Sequence, residues 1–293
     1  MFTKRQIEYD KVFNILVFIC PLIIILYCFS SGISGNDFWW HIKVGEHILE
    51  TGMVPTNDIF SWYGTNIGLE WTAHEWLSDI IFYIVYSSFG SVGIFLLSVG
   101  CAILLYCLLW NEGKKYVRKN IFLAGVLFSL FAVLSSLFFY GRPHIFSFFL
   151  LFWELKLLYS FYENPEDKRI WFVPIIAIVW SNLHGGSSNL SYILCLIFFL
   201  VGLCNINFER IKTKKFDCKQ AKILLIVSIV TFVALLINPI GYRVLLYPYV
   251  NLSDNLSMTV ISEWQAPDAK QFGNLILYFL PIVLMSIGIV CSK

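Results

Sequence analysis

The sequence predicts an all-α integral membrane protein, a polytopic bundle of about eight spans whose first outward loop carries interfacial helices. Three observations predict it. The chain is far more apolar than a soluble protein of 293 residues needs for a core, with 58% hydrophobic residues, 14% charged residues and a mean hydropathy of +0.72. Its apolar residues gather into runs near the ~20 that a spanning helix requires. The polar connections between those runs alternate between rich and poor in lysine and arginine, as the positive-inside rule demands of a multi-pass chain.

The first run covers 12–30, and no small-residue cleavage site follows it, so it reads as a retained helix and not a signal peptide. Further spans are expected at about 91–110, 121–139, 145–162, 170–183, 190–204, 221–237 and 272–291. Basic residues cluster at 4–11, 114–119, 168–169 and 210–222 and at Lys293, whereas the opposite connections hold only Lys43, Arg142, Arg243 and Lys270. Both termini are therefore expected in the cytoplasm, with residues 31–90 facing outward and a single polytopic domain over 1–293.

Residues 75–88 are apolar enough to resemble half a span, but as a helix they rise only ~21 Å against a ~30 Å hydrocarbon core. They are assigned as an amphipathic helix lying in the outer interface. The runs at 170–183 and 190–204 are short and meet at SNLHGGSSN, 181–189, which places an outward-open cavity at a turn below the surface.

Composition excludes several classes. A net charge of +2 with no basic stripe argues against nucleic acid as a partner. The eight cysteines match no zinc or disulfide spacing and read as small buried hydrophobes. Sequons stand at Asn189, Asn251 and Asn255, and no P-loop supports a nucleoside triphosphate as donor or fuel.

The ionisable residues gather in the outward segments. In GNDFWWHIKVGEHILETG, Asn36 or Asp37 can cap a helix that runs to Glu50 and stops at Gly52, and Asp37 can serve there as a general base. His41 falls one turn later and can pair with Asp37, while Trp39 and Trp40 read as interfacial anchors. LEWTAHEWLSD holds Glu70, His74, Glu75 and Asp79; GRPH holds Arg142 and His144; SNLHGG holds Asn182 and His184. Arg243 lies in the last outer segment, and a cation such as Arg243 or Arg142 is what a phosphate-bearing substrate needs. Glu154 falls about ten residues into the 145–162 run, ~15 Å along a helix and near mid-bilayer, where a carboxylate is a functional candidate.

The pieces NDFWWHIKVGEHILETGMVPTNDIFSW, WTAHEWLS, GRPH, NLHGG, NPIG and EWQAPD, in this order over nearly the whole chain, resemble a group of bacterial multi-span proteins. That group is placed with the C-type (GT-C) glycosyltransferase superfamily of lipid-sugar-dependent membrane enzymes. The resemblance implies a catalytic loop after the first span, an acidic base at Asp37 and a polyprenyl-phosphate sugar as donor. It also implies a place in the bacterial cytoplasmic membrane, with chemistry on the outer side. Arg142, His144, His184 and Arg243 become candidates for the leaving phosphate, and a divalent metal stays open as cofactor. Many superfamily enzymes carry an acidic pair where this chain has Asn36 and Asp37, and members of the group continue with further spans, which implies a chain shortened at its C-terminus. The competing expectation is a non-catalytic or transport component of envelope polysaccharide assembly, in which Glu154 and the histidines bind or conduct a ligand.

Overall fold

A computed structural model describes residues 4–29, 37–113, 121–136, 141–208 and 211–261, with scattered positions beyond. The described residues are helical apart from turns, loops and one short antiparallel ladder, Asn207–Phe208 against Ile211–Lys212. Among the described residues, three helical stretches are long and apolar enough to cross a membrane: Trp76–Gly113, His144–Glu163 and Gly185–Leu203. A shorter apolar stretch, Ile15–Tyr27, lies within the first helix.

The chain divides into two compact units, Met1–Met53 with Trp76–Phe149, and Val54–Glu75 with Leu150–Lys293. The first unit contains α1 (Lys4–Phe29), α2 (Asp37–Thr51), α4 (Trp76–Gly113) and α5 (Ile121–Ser136). Helix α2 buries Phe38, His41, Ile42, Gly45 and Ile48, which recur at helical spacing and form one face packed on α4. Gly45 permits that approach, since a Cβ there would lie 2.7 Å from Tyr83 Cβ and collide with the Asp79 carbonyl. Gly52, with φ 70°, stops the helix, and its N–H bonds Ile48 O at 2.8 Å. Elsewhere in this unit Phe18, Tyr106, Trp110 and Phe128 meet ring to ring, and Tyr106 donates to the Phe18 carbonyl at 2.9 Å.

Within α4, Gly90 has φ 62° and ψ −154°, a conformation open to glycine and closed to other residues, so the chain turns there and the helix resumes. The break falls between the segments that the sequence separates as 75–88 and 91–110.

The second unit contains the short helix α3 (Trp62–Ile67), most of α6 (His144–Glu163), α7 (Val173–Leu183), the four-residue α8 (Gly185–Ser188), α9 (Leu190–Leu203), α10 (Cys218–Ala234), α11 (Arg243–Ser253) and α12 (Asn255–Val260). Its core gathers Leu158, Phe161, Ile170, Val173, Cys195, Phe216, Leu224 and Val227 from α6, α7, α9, α10 and their connections. A reciprocal capping box starts α10: Asp217 accepts from Gln220 N at 2.7 Å, and Gln220 Oε1 accepts from Asp217 N at 3.1 Å.

Two expectations change here. The run at 170–183 is not one α-helix, because Asp167 caps a 3-10 turn over Lys168–Phe172 and α7 begins only at Val173, with Pro174 in its first turn. The segment 181–189 is a packed, mostly helical turn and not an open cavity, because helix breaks only for single residues, at His184 and Asn189, with residues 181–185, 188 and 189 buried. Most of the run at 272–291, and Glu263 and Trp264 of EWQAPD, lie outside the described residues.

Candidate functional sites

In the first unit, Asp37 opens α2 and Arg142 lies just before α6, and the two meet in an ion pair, Arg142 Nη2 to Asp37 Oδ2, at 2.7 Å. That length is a charge-assisted hydrogen bond. Asp37 is 46% exposed and Arg142 18%, so the carboxylate is reachable while the guanidinium is held. A carboxylate in the first turn of α2 also faces the positive end of the helix dipole. His144 stands at the first position of α6 and is half-buried.

His41 does not pair with Asp37. It points into the α2–α4 interface, where Nδ1 lies 2.6 Å from Asp79 Oδ1 and both side chains are buried. A carboxylate only accepts, so Nδ1 carries the hydrogen. Trp40 lies over the His41 ring at a centroid distance of 3.8 Å, and Phe82 meets its other surroundings at 5.8 Å. The sequence places Asp79 in an acidic cluster but offers no sign that it serves His41, which lies 38 positions away. Trp39 is 55% exposed, with Phe38 and Tyr86 set edge-on to it.

In the second unit, His74, Glu75 and His184 converge. Glu75 Oε1 lies 3.2 Å from His184 Nε2 and 3.6 Å from His74 Nε2, and all three side chains are buried. His184 Nδ1 faces Ser187 Oγ at 3.0 Å, and Ser187 Oγ accepts from Trp180 Nε1 at 3.0 Å. The Ser187 hydroxyl also donates to the His184 carbonyl at 3.4 Å, and His184 turns Nε2 toward Glu75. On the His74 ring, Nδ1 donates to Thr72 O at 3.1 Å, so Nε2 is again the nitrogen turned toward Glu75.

The backbone locks this cluster. Gly185 N donates to the His74 carbonyl at 2.8 Å, and a Cβ at 185 would lie 2.8 Å from that oxygen and collide with Val244. Tyr247 of α11 stacks on His74 with centroids 3.7 Å apart at 26°, a residue that no sequence pattern singled out. Burial, with the Glu75 charge adding to it, pushes the Tyr247 phenol up to about 12.

The other candidates separate by role. Asn182 Nδ2 donates to Ile178 O at 2.7 Å and Ile237 O at 2.8 Å, tying α7 to the turn that follows α10. Asn189 donates to Leu245 O at 3.0 Å and is buried, so its sequon presents no glycosylation acceptor. Glu154 is fully buried within α6, with Cys195 Sγ at 4.0 Å from Oε1 and no hydrogen-bond partner for Oε2 among the described residues. Arg243 Nη2 lies 3.7 Å from Glu70 Oε2 at the edge of an open cavity of about 450 Å³.

Among the described residues, no group of three or more His, Cys, Asp or Glu is arranged to hold a metal ion. In comparisons with known proteins the chain matches no family model, no curated protein and no solved structure.

Proposed function

We propose that this protein is a membrane glycosyltransferase of the GT-C type, transferring a sugar from a polyprenyl-phosphate donor to an acceptor on the outer side of the bacterial cytoplasmic membrane. The observation that supports it is the Asp37–Arg142 pair, a half-exposed carboxylate at a helix start held 2.7 Å from a guanidinium. Displacement at an anomeric carbon needs these two groups, a base for the acceptor hydroxyl and a cation for the departing phosphate.

In this reading Asp37 takes the acceptor proton as the acceptor oxygen forms its bond to the anomeric carbon. The bond from that carbon to the phosphate oxygen breaks, and the phosphate leaves with the electron pair. Arg142 binds that phosphate in place of Asp37, so donor binding itself releases the base. The buried His41–Asp79 bond holds α2 on α4 and thereby fixes where Asp37 stands. The test is transfer of labelled sugar from a panel of polyprenyl-phosphate donors by purified protein in detergent. Wild type transfers and Asp37→Asn does not; no transfer from any donor by folded wild type overturns the reading.

The fully buried Glu154 favours a second reading, a transport or accessory component that passes a ligand between α6 and its neighbours in the second unit. In that case Glu154→Gln, and not Asp37→Asn, removes function in cells.

A further inference from the structure

The cavity of about 450 Å³ in the second unit is lined by Thr56, Asn57, Glu70, Trp71, Thr72, Pro239, Ile240 and Arg243. We propose that it is a binding site for a neutral pyranose ring. Binding stands on the cavity alone; only the ring's role, as acceptor or donor sugar, rests on the transfer reading.

Two hydroxyls, an amide, a carboxylate and a guanidinium supply both donors and acceptors, while an indole, a proline and an isoleucine supply apolar wall. A pyranose is built the same way, with hydroxyls that donate and accept around its rim and C–H faces above and below. The volume falls in the ~300–1,000 Å³ range of small-molecule sites.

Glu70 and Arg243 are the charged residues of the lining, and they cancel. An anion such as phosphate would face Glu70, and a cation would face Arg243. Their separation of 3.7 Å exceeds the ~2.7–2.9 Å of a charge-assisted hydrogen bond, so each keeps hydrogen-bonding capacity for a hydroxyl. Both are open to ligand, with side-chain exposures of 39% for Arg243 and 77% for Glu70.

The walls are built before a ligand arrives. Backbone bonds from Asp58 N to Leu69 O at 2.8 Å and from Trp71 N to Thr56 O at 2.9 Å clamp one wall. On the other, Ile240 N donates to Asn238 Oδ1 at 3.0 Å, and Asn238 Nδ2 donates to Leu235 O at 2.6 Å, fixing Pro239 and Ile240 at the head of α11. Little ordering is left to oppose a weak polar ligand.

The experiment is saturation-transfer difference NMR on the purified full chain in detergent, with glucose, galactose and N-acetylglucosamine as probes and inorganic phosphate as competitor. At least one pyranose binds the wild type, phosphate does not displace it, and Asn57→Ala and Glu70→Gln each weaken it about tenfold, the loss of roughly one hydrogen bond to the sugar. Both substitutions fall on exposed side chains, so the variants stay folded. The proposal is overturned if no pyranose binds, if phosphate displaces it, or if both variants bind as wild type does. Displacement by excess polyprenyl-phosphate sugar marks the donor ring, and persistence marks the acceptor ring. Pyranose binding is read without any transfer step, so the two readings fail separately.

Discussion

His41 of α2 and Asp79 of α4 share a hydrogen bond of 2.6 Å in an environment that leaves the histidine 2% and the aspartate 0% exposed. A pair so far from water is held by its own geometry, and removing one member strands the other. Asp79→Ala or His41→Ala is expected to lower stability by about 3–5 kcal/mol. Chemical unfolding in detergent measures it, and a double variant that costs no more than either single one identifies the pair as the cause.

Asp37 is half-exposed, and an asparagine there keeps an amide oxygen that accepts from Arg142, so Asp37→Asn is expected to keep the fold and change the chemistry. Sugar transfer is expected to fall about 10²–10⁴-fold with the melting temperature nearly unchanged. Arg142→Lys, which keeps the charge and loses the planar fork, is expected to weaken donor binding more than it slows the bound donor. Separate determination of kcat and KM distinguishes the two effects.

Gly185→Ala tests how tightly the second cluster is assembled. The added methyl must displace the His74 carbonyl, with which Gly185 N is already bonded, and press on Val244. Overpacking of this kind costs about 1–3 kcal/mol. A lowered melting temperature with a loosened His74–Tyr247 stack is the expected result, the stack being read from the tyrosine absorbance titration. In wild type the Tyr247 phenol resists ionisation up to about 12, and in the variant it ionises closer to the ordinary tyrosine range.

The loop beside the cavity carries an acid-sensitive clamp. Asp58 accepts from the N–H groups of Phe60 and Ser61, each at 2.9 Å, and from the Ser61 hydroxyl. The Ser61 hydroxyl bond, and then its N–H, hold the carboxyl below the usual aspartate range. A depressed folded-state pKa contributes stability that is fully present above the unfolded aspartate value of ~3.9 and is lost as pH falls through the lower folded value. Acid titration of tryptophan fluorescence is expected to show the loop opening in that window, and Asp58→Asn to remove the step.

Helix α2 shows what local sequence decides. Asp37 at its start, Gly52 at its stop and the apolar spacing between them act within a few residues, and the helix runs Asp37–Thr51 as those signals direct. Helix α7 shows the limit of that logic. Hydropathy extends it back to 170, but the Asp167 cap and Pro174 select a tighter turn first.

The helical character and the apolar stretches were legible in the residues alone, because helix propensity and the clustering of apolar side chains are properties of neighbouring residues. Tertiary structure alone decided the partners. His41 is one turn from Asp37 yet bonds Asp79, Arg142 takes Asp37, Glu75 meets His184, and Tyr247 covers His74. A helix fixes which face a side chain leaves from, but only the packing of other segments on that face decides which group it meets.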